Sequence, residues 1–318
     1  MSLPTLSTAT AERLQHAHII AKNTLWSVIK ASGTDIRTYL QGQITQDIEK
    51  LNPQQAIHSC LLSPQGKAIS ELYILAGHND ELIILTPSSH AVATVARLRQ
   101  FALAHQLRIG IIDSLAVYTI LGTGATDYLN TFGFPACKQH WLSSCSRKKG
   151  EDSFTLLMHN TTPSAYWIIA STTQMEPHIS AQHHINDSAF EALRILQGWP
   201  VFGIEWDEKL HPLNANLVEF DGVDFNKGCY VGQEVTSRMH WRGGIKKKLY
   251  RVKLDGTPTE LPCPIRSSVN IGELKSAAID DQGHCFGIAL LAIETAESDV
   301  SLSLENKTKI TILGSCHA

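Results

Sequence analysis

Two apolar runs, residues 56–62 and 68–75, flank the pentapeptide Ser63-Pro64-Gln65-Gly66-Lys67. Pro presets one turn dihedral, and Gly two positions later supplies the left-handed one, so the pair between apolar runs predicts a β-hairpin. A hairpin joins antiparallel strands, whereas a doubly wound parallel sheet needs a long crossover between each pair. Around it, residues 25–30 predict a strand, and Ser32-Gly33-Thr34-Asp35 predicts the start of a helix carrying Ile36, Tyr39 and Leu40. Residues 81–86 predict another strand. Residues 88–105 place Val92, Val95, Leu98 and Ala102 at helical spacing behind Pro87.

Strands are expected at residues 107–112, 116–121, 154–158 and 166–170, and a helix at 188–197 that stops at Gly198-Trp199-Pro200. The polar stretch 138–150 lacks periodicity and reads as a surface loop. Hairpins mixed with helices define an α+β class. After Gly243-Gly244 the pattern changes to short strand-like runs at 245–254, 269–274, 285–293 and 309–313, separated by Gly, Pro and Asp. A separate small β domain is expected from about residue 243.

A chain of 318 residues with 43% hydrophobic and 18% charged residues can bury a core without disulfides or metal. Its net charge of -3 predicts no general attraction to polyanions, so direct nucleic-acid binding is not expected unless a local patch supplies it. No apolar run approaches the roughly 20 residues that span a bilayer, and the start lacks a leader pattern. The chain therefore reads as cytoplasmic, away from membranes. Seven cysteines without a CxxC pair argue against a disulfide framework or a thiolate zinc site. His16, His18 and His183-His184 come without acidic or thiolate companions and read as surface residues. No metal ligands are assigned.

The segment Lys227-Gly228-Cys229-Tyr230-Val231-Gly232-Gln233-Glu234 concentrates chemistry. A nearby ammonium and the free amides of a helix starting near Gln233 would favour the Cys229 thiolate. Gly228 and Gly232 permit tight turns or close approach of a planar ligand; Tyr230 offers a ring, and Gln233 and Glu234 offer groups that pair with a polar heterocycle. Residue chemistry alone leaves a second reading equally open: Cys229 as a small buried hydrophobe in a glycine turn. The basic run Lys246-Lys247-Lys248, between Arg242 and Arg251, could meet phosphates or a polyanionic tail, but reads first as a solvated strand edge.

The eight-residue segment followed by Arg238 resembles the signature of the YgfZ-type folate-binding proteins, relatives of the glycine-cleavage aminomethyltransferase. Other matches follow in order: Gly33, Asp35, Tyr39-Leu40-Gln41-Gly42-Gln43, Thr45 and Asp47; Leu62 to Lys67; Arg97-Leu98-Arg99; Arg194-Ile195 before Gly198 and Pro200; Pro212, Asn216 and Leu217; then Ile271 to Ser276 and Gly287 to Leu291. The resemblance implies an aminomethyltransferase-like fold, with two interleaved α/β subdomains around a central channel at residues 1–243 and a small β-barrel at 244–318. It implies tetrahydrofolate, or a derivative, as cofactor. Cys229 would be the reactive thiol, Lys227 its activator, and Gly228, Tyr230, Gly232, Gln233, Glu234, Arg238, Asn216, Gln41, Gln43 and Arg194 the binding shell.

By the same resemblance the function is an accessory role in assembly or repair of iron-sulfur enzymes, including those that modify tRNA, with client enzymes or assembly proteins as partners. The alternative is a folate-dependent one-carbon transferase or demethylase. Two departures from the aminomethyltransferase pattern argue against glycine-cleavage chemistry. Ser70 and Glu71 stand where those enzymes carry an acidic pair, and Leu196 replaces the carboxylate that meets the pterin.

Overall fold

The computed structural model describes residues 2–78, 81–102, 105–131, 133–134, 141–149, 152–161, 164–179, 185–267 and 270–317. His183 and His184 lie outside them. The chain divides into two compact units: Glu12–Ile185 with Asp221–Gln233, and Met1–Ala11 with Asn186–Phe220 and Glu234–His317.

The first unit begins within α1 (Thr8–His16) and continues through β1 (Ile19–Lys22), β2 (Trp26–Ser32), α2 (Ile36–Gln41), β3 (Ile57–Leu62), β4 (Ala68–Ala76) and β5 (Leu82–Pro87). Then come α3 (Ala91–Gln100), β6 (Arg108–Ile111), β7 (Leu115–Leu121), α4 (Ala125–Thr131), β8 (Ser144–Lys149), β9 (Asp152–Thr161), β10 (Ser164–Ser171) and α5 (Thr172–Met175). The strands form two five-stranded antiparallel sheets, ordered β3-β4-β5-β2-β6 and β1-β7-β10-β9-β8.

The expected hairpin is β3–β4. Its turn closes through Ser63 N–H to the Lys67 carbonyl at 2.8 Å, with Gly66 at φ +74°. Both β3 and β5 are buried at every position because their sheet is covered on both faces. On one face Ile29, Leu72 and Ile74 pack with Ile36, Leu40, Val95 and Leu98 from α2 and α3. Each such side chain contributes about 1.5–3 kcal/mol by leaving water. Alternation along the strands sends Trp26 and Tyr73 to the other face. There they meet Trp167 of the second sheet at ring distances of 5.1 and 5.2 Å.

Three expectations are corrected here. Helix α3 ends at Gln100, short of His105, because Ala102 N–H bonds the Arg99 carbonyl in a tighter turn that leads toward β6. The stretch expected as a loop contains β8, which lies at the edge of its sheet and pairs with β9. An edge strand can carry basic residues without apolar alternation, which hid it. His18, expected at the surface, is half-buried with its ring stacked on Tyr128 at 4.0 Å.

The second unit holds α6 (Asp187–Gln197), all but the first residue of α7 (Gln233–Trp241), β11 (Lys247–Leu254), β12 (Cys263–Arg266), β13 (Asn270–Ile279), β14 (Cys285–Ala292), α8 (Ile293–Ala296), β15 (Leu302–Ser303) and β16 (Lys309–Ser315). Helix α6 stops where its sequence predicts, with Gly198 at φ +72°; at its start Asn186 Oδ1 accepts from Ala189 N–H at 2.8 Å. The six strands close a barrel, ordered β11-β14-β13-β12-β15-β16, around Val252, Ile265, Leu274, Ala289 and Leu291. The lysines expected on an exposed edge begin a strand paired to β14 along its whole length and to β16 from Tyr250 onward. Barrel closure pairs the strand on both sides from Tyr250 onward, while exposed Lys247 at its start is paired to β14 on one side.

Candidate functional site

Helix α2 ends where Gly42 donates to the Tyr39 carbonyl, and the chain then turns sharply through residues 43–48. Side chains hold that turn. Gln41 Nε2 donates to Asp47 Oδ1 at 2.8 Å while its Oε1 accepts from Ile48 N–H at 3.0 Å. Gln46 Oε1 accepts from Asp47 N–H at 2.8 Å. The turn leaves the carbonyls of Gln41, Ile44 and Gln46 pointing to one place, and buried carbonyls require donors.

Lys227 supplies them. Its Nζ donates to Gln41 O at 2.8 Å, Ile44 O at 2.8 Å and Gln46 O at 2.9 Å, which uses all three ammonium hydrogens. The residue is only 7% exposed. Burial pulls its pKa down to about 8, against the opposite pull of the Asp47 and Asp224 carboxylates. The Tyr230 ring centre lies 5.1 Å from Nζ, a cation–π distance.

Backbone bonds lay the rest of residues 221–233 along the same turn. Asp224 N–H donates to Thr45 O at 3.0 Å and Val231 N–H to Gly42 O at 3.1 Å; Thr45 Oγ1 donates to Gly222 O at 2.6 Å, and Gln46 Nε2 to Asp221 O at 2.6 Å. Asp224 Oδ1 accepts from the amides of Asn226 and Lys227, and Oδ2 pairs with Lys50 at 2.8 Å. Burial would raise the Asp224 pKa, but the Lys50 hydrogen bond overrides it and the net shift is downward.

Within this frame the two glycines differ. Gly232 has φ +85°, and a Cβ there would meet Ser63 O at 2.8 Å and Leu62 Cβ at 2.9 Å. Gly228 has no heavy atom within 4 Å of the same position. Cys229, beside that open space, is exposed, which removes the alternative of a buried structural cysteine. Tyr230 is buried and Gln233 is half-buried.

Four other expected shell residues are tied internally. Gln41 holds its turn, and Gln43 Oε1 accepts from Arg97 at 3.2 Å. In the other unit, Arg194 spends all five N–H donors on Glu191, Glu205 and the Trp199 carbonyl. Asn216 donates to Leu249 O at 2.9 Å and Cys316 O at 2.7 Å while accepting from Leu249 N–H at 2.7 Å. These bonds give Arg194 and Asn216 structural work in α6 and the barrel. Glu234 and Arg238 form an exposed ion pair one helical turn apart on α7.

Sequence reasoning missed Gln46, Lys50 and Asp224. Asp224-Phe225-Asn226-Lys227 carries an Asx-turn signal that could have found the last. Glu71 is buried, with its Oε1 hydrogen-bonded to His58 Nε2 at 3.0 Å. Nearby His159 stacks on Trp167 at 4.0 Å; burial, with His58 adding, lowers its pKa to about 3. Among the described residues no group of three or more His, Cys, Asp or Glu is arranged to hold a metal ion, and no helix is long and apolar enough to cross a membrane.

The fold is that of the aminomethyltransferases. The glycine cleavage system aminomethyltransferase T from Bartonella henselae superposes with a TM-score of 0.80 over 96% of this chain and 87% of its own, at 14% sequence identity. Along the sequence, the chain is similar to proteins described as tRNA-modifying protein YgfZ. That of Hamiltonella defensa is 27% identical over 281 residues, 86% of this chain and 79% of the relative. That of Escherichia coli O157:H7 is 26% identical over 242 residues, 74% and 72% of the two chains. The YgfZ likeness read from the signature thus extends over most of the chain, although no family model matches it.

Proposed function

We propose that this protein is a tetrahydrofolate-binding accessory factor in tRNA modification, with Cys229 as its working thiol. The observation that carries the proposal is the three-carbonyl clamp on Lys227. It fixes residues 228–232 against the turn after α2, so that an exposed thiol stands on an otherwise well-anchored segment. Rigid placement of a nucleophile is what a chemical role needs, whereas a solvent-filling cysteine needs no anchoring. Similarity to YgfZ proteins supports the tRNA-modification context, and the resemblance extends it to the care of iron-sulfur enzymes in the cytoplasm.

The open space over Gly228 suits the face of a planar ring, and Gln233, half-buried at the start of α7, supplies donor and acceptor groups for a heterocycle edge. A reduced folate bound there would supply one-carbon acceptor or donor chemistry. Gly228 would let it approach and Cys229 would face it. Lys227, with all three ammonium hydrogens engaged by carbonyls, serves the thiol by holding its segment in place. The transferase alternative has less support, because Glu71, the one carboxylate left where the aminomethyltransferases carry an acidic pair, is buried against His58.

Calorimetric titration with tetrahydrofolate tests the proposal. Saturable heat and a raised melting temperature are expected, with both reduced by Gly228→Val; absence of heat and of any melting shift at saturating ligand contradicts it.

A further inference from the structure

Seven of the chain's 27 Lys and Arg, and none of its 30 Asp and Glu, fall in residues 235–254. Three of the seven are half-buried and engaged within the fold: Lys248 pairs with Glu219, Lys253 lies over Phe286, and Arg251 packs its stem against Gly198. The other four, Arg238, Arg242, Lys246 and Lys247, are exposed. Among them stands Trp241, 71% exposed.

The backbone explains why they gather. Arg242 N–H bonds the Arg238 carbonyl at 3.0 Å, so helical spacing persists to Arg242 and puts Arg238, Trp241 and Arg242 on one face. Gly243, at φ +67°, ends the helix while Gly244 N–H bonds the Met239 carbonyl at 2.8 Å, and the chain turns directly into β11, with Lys246 just before the strand and Lys247 at its start. The acidic residues near this surface are Glu234, paired with Arg238; Glu219, paired with Lys248; Glu273, which shares a hollow with Lys247 and is paired with Lys275; and exposed Glu294, next to Ile293 whose N–H bonds the Lys246 carbonyl. Positive charge stays in excess.

We propose that this surface, the end of α7 and the start of β11, binds a single strand of RNA, with Trp241 stacking on a base and Arg242, Lys246 and Lys247 meeting phosphates. Cations in a helix's last turn also favour its dipole, which accounts for Arg238 but not for two further lysines or a solvated indole. A large exposed ring among cations is the combination that single strands use: stacking tolerates any base, and cations track the backbone. Duplex bases are already stacked and offer the ring nothing. An interfacial membrane helix separates its apolar face from its charges, whereas here Trp241 shares a face with two arginines. The overall charge of the chain gave no hint of this local patch.

The test is fluorescence anisotropy of a fluorescein-labelled 15-nucleotide oligouridine with the full chain at 50 and 200 mM salt. Binding that weakens with salt is expected. Trp241→Ala should reduce affinity at least about fivefold, through the loss of one stacked base. The triple variant Arg242→Ala, Lys246→Ala, Lys247→Ala should reduce it at least about tenfold and flatten the logarithmic salt slope by about 2. Melting temperatures should stay within about 2 °C, since all four side chains are solvated. No binding at 50 mM salt, or variants that bind like the parent, overturns the proposal. Equal binding to duplex RNA overturns the stacking, and binding to phosphatidylglycerol vesicles without RNA binding overturns it in favour of a lipid surface. The result is independent of folate binding.

Discussion

The ammonium of Lys227 lies 2.8 Å from the carbonyl of Ile44, 183 residues earlier in the chain. That contact, with two more to the carbonyls of Gln41 and Gln46, makes a residue read from sequence as a thiol activator into the fastening of the whole 221–233 segment.

Lys227→Met should therefore destabilise the protein by about 2–4 kcal/mol, because three converging carbonyls lose their donors while the stem volume is kept. Urea unfolding of the variant measures it. A loss below about 0.5 kcal/mol would show that water replaces the ammonium without penalty.

The two glycines of the segment should respond differently to alanine. Gly232→Ala meets both a positive φ and backbone oxygen at 2.8 Å, and should cost about 2–4 kcal/mol. Gly228→Ala enters open space and should shift stability by less than about 1 kcal/mol. Thermal melts of the pair compare them directly.

The sequence marked this segment, and the signature chemistry at 227–234 was legible because glycines, cysteine and lysine carry their meaning locally. The carbonyl clamp was not, since it depends on where a turn 180-odd residues away aims its backbone. Arg194 and Asn216 were visible only as matched positions; that their polar groups serve α6 and the barrel follows from burial, which no spacing reveals. Hairpin β3–β4 and the barrel strands were readable from turn chemistry and strand period. Edge strand β8 lacked the alternation that betrays a half-buried strand.

Arg194→Met should leave Glu205, which is fully buried, without its counter-charge and destabilise the second unit by about 3–5 kcal/mol. Adding Glu205→Gln should recover a large part of that loss in a double-mutant cycle. A ligand-facing arginine would instead leave stability nearly unchanged and alter folate binding.

His159 gives the fold an acid sensitivity. Its folded pKa, about 3, lies below the unfolded value near 6.5, so the unfolded chain binds more protons as pH falls, and stability drops through that window. His58, Glu71 and Tyr73 share its surroundings and remain in both proteins compared. Urea unfolding should show wild type losing about 2 kcal/mol more than His159→Phe between pH 7 and pH 5. Equal losses would place the acid sensitivity elsewhere.

The central claim is that Cys229 works chemically on a segment the fold holds in place. Cys229→Ser, introduced as the sole copy in cells, should abolish nearly all support for iron-sulfur tRNA-modifying enzymes, read as the modified-nucleoside content of bulk tRNA, while purified protein keeps its melting temperature and tetrahydrofolate heat. Modified-nucleoside levels equal to wild type, with serine in place, would contradict it.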